Sequence, residues 1–167
     1  MIDLWYRAGI RKVAELRVPS DSTLVTFDGL NILEHRFYLI IFSVKNTSSS
    51  SSDYYLFVNG DLNKANYYCQ TLVSSGIEIS ANRYNLPLVA YLSSLSNALC
   101  EIILGLDPDY HPRYHVRCTR YVSNVANVLY SGSYYAPVSN VTRLDFQSSA
   151  TNAIGRGSRI IIFGAMV

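Results

Sequence analysis

The stretch DPDYHPRYHVRC, residues 107–118, holds the densest set of groups able to do chemistry. Asp107, Asp109, His111, His115 and Cys118 are carboxylate, imidazole and thiol groups of the kind that bind divalent metals. Two histidines four residues apart would need one face of a helix to share a metal, and Pro108 and Pro112 forbid that helix. The segment reads as a loop running into a strand with His115 facing solvent, and no metal is expected. A second run, NGDLNKAN (59–66), is rich in oxygen ligands but lacks the alternating acids and closing glutamate of a calcium loop. Asn59, Gly60 and Asp61 read as a structural turn, with Asn63 and Asn66 capping nearby backbone groups.

A third run, NAIGRGSRIIIFG (152–164), resembles a phosphate cradle at first sight. Such a loop needs GxxxxGK[ST] between a strand and a helix whose first amides face the phosphate. The lysine is missing here, and the β-branched RIIIFG that follows predicts a strand. Gly155 and Gly157 are expected to supply positive φ in a turn or bulge, with no nucleotide bound. No GxSxG elbow accompanies the abundant serines, and His35 stands just before an apolar strand. No catalytic residue, no cofactor and no enzymatic activity are expected.

These groups must be carried by a chain of 167 residues, 49% hydrophobic, which fits one domain with a real core. Its 14 Lys and Arg against 12 Asp and Glu leave +2, too small a charge to argue for nucleic acid. The basic and aromatic RYHVRCTRY reads as a strand whose rings turn inward rather than as a nucleic-acid surface. Cys69, Cys100 and Cys118 form no CxxC pair, and their odd number predicts buried, reduced thiols in a reducing compartment. No apolar run reaches the length of a membrane helix, and MIDLWYRAGIRK lacks the apolar stretch of a signal peptide. Synthesis in a reducing compartment, as a soluble chain without a membrane partner, is the expectation.

Alternation and turn signals predict an all-β chain of about eight to ten strands, an antiparallel sandwich or barrel. Strands are expected in KVAELRVP, STLVTFDGL, RFYLIIFSVKN, DYYLFVNGD, on both sides of Pro87, and in ALCEIILGL, RYHVRCTRYV, SNVTRLDFQSS and SRIIIFGA. In STLVTFDGL, Val25 and Phe27 oppose Leu24, Thr26 and Asp28. The apolar RFYLIIFSVKN is expected to be a central strand covered on both faces. NKANYYCQTL and PLVAYLSSLSNAL are the two helical candidates. The polar run Ser48–Ser52 is a loop tip.

Three pieces in this order carry a resemblance: TFDGL before FYLIIFSVKN; YYLFVNGD closely followed by NYYCQ; and VTRLDFQS…NAIGRGSRIIIFG. The series resembles a jelly-roll domain of virion structural proteins of tailed viruses, capsid-decorating and tail-associated proteins among them. The resemblance spans roughly residues 20–165 and implies a jelly-roll β-sandwich over residues 20–167, displayed in many copies on a particle. It implies no catalytic residues, and a virion protein made in the host cytoplasm.

The expected function is therefore that of a virion structural protein, a capsid decoration or cement protein that forms a homo-oligomer and contacts the major capsid protein or other virion proteins. A tail or fibre component, or a carbohydrate-binding jelly roll with exposed aromatic rings, are the alternatives. Residues 1–19 precede the jelly-roll signature and are either an assembly arm or a first strand. Trp5, Tyr6, Arg7 and Ile10 in that segment are the expected interface residues, since such side chains anchor protein contacts and cannot form a core alone.

Overall fold

Alternating apolar side chains divide the chain into short strands. The computed structural model describes residues 9–75, 78–122 and 124–166. Twelve strands follow one another there: β1 Ile10–Arg17, β2 Leu24–Phe27, β3 His35–Lys45, β4 Ser52–Val58, β5 Tyr67–Ser75, β6 Glu78–Tyr84, β7 Leu88–Leu92, β8 Asn97–Leu106, β9 Pro112–Val122, β10 Asn124–Tyr134, β11 Leu144–Ser148 and β12 Arg159–Met166. An eight-stranded sheet runs β1-β12-β3-β8-β9-β10-β5-β6, and a four-stranded sheet runs β2-β11-β4-β7. Every pairing is antiparallel. The fold is an all-β sandwich.

The pairs β5–β6, β4–β7, β3–β8 and β2–β11 nest inside one another, as if one long hairpin were rolled into two layers. The β9–β10 hairpin is inserted between β8 and β5, and β1 and β12 extend the other end of the large sheet. Residues 10–17 are thus a first strand, paired to β12, whereas Trp5, Tyr6 and Arg7 lie outside the described residues.

The core lies between the layers. Tyr38, Ile40, Phe42 and Val44 of β3 face Tyr54, Leu56, Leu144 and Phe146 of the small sheet, all of them buried. The Phe42 ring packs 5.1 Å from Phe146 and 6.0 Å from Tyr54. Each such side chain contributes about 1.5–3 kcal/mol on leaving water. Val25 and Phe27 are buried and Leu24 is exposed, as the alternation in β2 requires.

Four expectations need correction. Both helical candidates are β. NKANYYCQTL makes a single 3-10 turn, Lys64–Asn66, before β5, and PLVAYLSSLSNAL is β7, a turn and the start of β8. Leu95, held at φ 54°, breaks any helix there. Strand β10 has no clear sequence signal, because Gly132 and flanking serines interrupt its apolar pattern. The Tyr114 ring lies where a Cβ of residue 132 would be, so the glycine permits close approach between β9 and β10. Strand β3 is central, but only its inner face is covered; Phe37, Leu39 and Ile41 on the other face remain half-buried.

The fourth correction concerns Gly155. Gly157 has the expected positive φ of 88°, but Gly155 is not in the left-handed region. A Cβ on Gly155 would press on the Thr47 side chain and lie 2.7 Å from the Lys45 carbonyl oxygen. Its amide donates to that carbonyl at 2.8 Å. The Gly157 amide donates to Val18 at 2.9 Å, and the Lys45 amide donates to Ser158 Oγ at 3.0 Å. The Gly155 and Gly157 amides and the Ser158 hydroxyl thus join the ends of β1, β3 and β12.

Candidate interaction surface

The 107–118 cluster is split by the fold. Asp107 Oδ1 accepts from the amides of Asp109 at 3.0 Å and His111 at 2.9 Å, while Oδ2 accepts from Arg113 Nε at 2.9 Å. The His111 amide, then the Arg113 guanidinium, hold this carboxyl below its ordinary range despite partial burial. His115 points outward to Ser131 Oγ at 3.0 Å, and Cys118 points into the core. The five side chains do not converge, and no metal-binding group occurs among the described residues.

The Asn59-Gly60 turn is local chemistry: both residues have positive φ, 53° and 77°, as the tight hairpin turn demands. Asn59 Oδ1 also accepts from the Thr142 amide at 2.9 Å, tying this turn to the approach to β11. Asp61 accepts from Asn66 Nδ2 at 2.6 Å and from Tyr134 Oη at 2.9 Å. Burial alone would raise the Asp61 carboxyl, but the bonds from Asn66, the Asn63 amide and Tyr134 outweigh it and hold it low. These residues are structural.

What the sandwich leaves over is the outer face of its large sheet. The strand registers align Ile161, Ile41, Glu101, Arg117, Leu129, Leu72 and Ala81 in one row across β12, β3, β8, β9, β10, β5 and β6. The next row toward one end carries Phe163, Leu39, Ile103 and His115, and the row toward the other carries Ser43, Leu99 and Thr119. Leu99, Ile103, Leu129 and Leu72 are 50%, 49%, 48% and 43% exposed. A solvated sheet face ordinarily carries polar side chains. An apolar band several strands wide marks a contact surface.

Charge is sparse in that band. Glu101 and Arg117 stand opposite each other on β8 and β9, and neither joins an ion pair among the described residues. At the β1 margin Glu15 is bound by Lys12 at 2.7 Å and Arg159 at 2.6 Å, which hold its carboxyl low, Lys12 having the larger effect. Ile10 is 48% exposed near this margin. No other expected interface residue lies within the described residues. Sequence alternation in β8 and β10 could have signalled the band, because Leu99, Ile103 and Leu129 occupy positions where polar residues belong.

No protein-family model matches the chain, and no curated protein is significantly similar to it.

Proposed function

We propose that the protein is a non-enzymatic structural protein that acts by protein–protein contact, self-associating and decorating a virion capsid. The observation that carries this reading is the apolar outer face of the eight-stranded sheet. Aliphatic side chains left half exposed, as Leu72, Leu99, Ile103 and Leu129 are, cost roughly 25 cal/mol per Å² of apolar surface in water, so covering them favours association. The nested strand pairs, with β2, β4, β7 and β11 in one layer and β3, β5, β6 and β8 in the other, support the jelly-roll reading on which the virion resemblance rests.

A second copy suits the face. A two-fold axis parallel to the strands, between β8 and β9, carries each of these strands over the other. Glu101 of one copy then meets Arg117 of the other on both sides of the axis, with Ile103 and Leu99 nearby. Self-complementarity of this kind is what an isologous dimer requires.

The test has two parts. Sedimentation equilibrium of the purified chain is expected to give a mass above that of the 18.7 kDa monomer, and Leu129→Glu is expected to return it to monomer with an unchanged melting temperature. Immunogold labelling of particles from the source is expected to mark shells. A monomer at all concentrations refutes the contact, and unlabelled shells refute the capsid location.

A further inference from the structure

At the flank where β6 passes into β7, the two sheets part around a cavity of ≈ 340 Å³. It is lined by Asp53, Thr71, Tyr84, Tyr91, Arg120 and Tyr130 among others. These come from β4, β5, β6, β7, β9 and β10, so only the folded sandwich brings them together. Thr71 and Tyr130 are register partners in the floor and are almost fully buried. Tyr84 and Tyr91 stand at the mouth, 38% and 39% exposed.

Opposite charges share this cavity without meeting. The Arg120 Nη1 donates to the Tyr91 carbonyl at 2.9 Å and the guanidinium lies 5.1 Å from the centre of the Tyr91 ring, which fixes its position. Its Nε is buried and has no hydrogen-bond partner among the described residues. A buried donor left empty is costly and is normally filled in the working state. Asp53, which also lines the cavity, accepts a long bond of 3.3 Å from Tyr55 Oη and forms no ion pair among the described residues. Burial, the larger influence, raises its carboxyl.

This bipolar lining selects its ligand. An anion would be repelled by Asp53, a cation by Arg120, and a hydrocarbon could pack on Val73, Leu86, Leu88 and Val128 but would leave the buried Arg120 Nε without an acceptor. A ring bearing several hydroxyls offers donors to the carboxylate and acceptors to the guanidinium, while its C–H faces pack on tyrosine rings. From this lining we infer that the cavity binds a neutral saccharide unit, with Asp53 accepting from its hydroxyls, Arg120 Nε donating to an oxygen, and Tyr84 and Tyr91 flanking the ring. A small zwitterion would satisfy the charges but has no ring face for the tyrosines. This inference is independent of the outer-face contact.

The experiment is saturation-transfer NMR of the full chain against neutral hexoses, N-acetylhexosamines and their short oligomers, with uronic acids and free amino acids as controls. The expected result is transfer to ring protons of at least one neutral sugar, weakened about tenfold or more in Arg120→Gln by loss of a charged hydrogen bond. Asp53→Asn, which keeps the side-chain shape, is expected to weaken the same sugar, and thermal melts establish that each variant is folded. Absence of transfer to every neutral sugar overturns the inference. So does binding confined to charged sugars or amino acids, or binding unchanged in both folded variants. The sedimentation mass of Arg120→Gln is expected to equal that of the native chain, which separates this site from the assembly face.

Discussion

Single residues here act through the space and partners that the fold imposes on them. Gly157 needs its left-handed backbone, so Gly157→Ala is expected to cost about 1 kcal/mol in denaturant unfolding. Gly155→Ala is expected to cost more, about 1–3 kcal/mol, because the added carbon meets Thr47 and a backbone carbonyl that cannot rotate away. Equal costs would count against this distinction. The fully buried Asp145 accepts from Thr26 Oγ1 at 2.5 Å and is gripped by Arg143 through Nε and Nη2, each at 2.9 Å. Acidity has its own signature at Asp61. Its folded carboxyl lies below the ordinary 3.8, so it stabilises the protein above that value and the benefit disappears as pH falls through the lower folded value. Asp61→Ala is therefore expected to be less stable than the native protein at pH 7, the gap narrowing below about pH 4. A gap that widens in acid would contradict the assignment. The Asn59-Gly60 turn was legible from two adjacent residues because its cause is local. The reason for Gly155 was not, since the atoms it avoids belong to Lys45 and Thr47, far away in sequence.

At the scale of elements, alternation explains most of what could be read and most of what was missed. Strands β2, β8 and β9 show their inward faces directly in sequence, and the thiols lie on such faces. Cys69 is pushed up to about 11, chiefly by burial, and Cys100 is raised by its hydrogen bond with Cys118 and by burial. Neutral, shielded thiols react slowly. All three cysteines are expected to resist iodoacetamide in the native protein and to label together on unfolding; rapid labelling of one in the native state would disprove its burial. Strand β10 escaped detection because Gly132 trades its side chain for the Tyr114 ring. The cleft escaped for a different reason: Asp53, Tyr91 and Arg120 show no spacing in sequence and converge only when β4, β7 and β9 do. Phe37, Leu39 and Ile41 of β3 are as hydrophobic as core residues, so sequence alone does not separate a strand covered on both faces from one with a half-exposed apolar face.

For the whole molecule the decisive quantity is the arrangement of charge on the outer face. Under the proposed two-fold, the contact contains the Glu101–Arg117 pair twice, each formed between copies. Glu101→Arg replaces both attractions by Arg–Arg repulsion inside an apolar surround, where like charges cost several kcal/mol. Arg117→Glu does the same with carboxylates. The double variant Glu101→Arg, Arg117→Glu exchanges the two signs and restores both pairs, because the symmetry that made them complementary is unchanged by the exchange. Each single variant is expected to sediment as a monomer at concentrations where the native chain is dimeric, and the double variant as a dimer again. Both positions are exposed, so melting temperatures of monomeric variants should differ little. Hydrophobic contact without this register would leave every variant associated alike. A contact elsewhere on the molecule would do the same, whereas recovery in the double variant alone requires these two side chains to face each other across the axis.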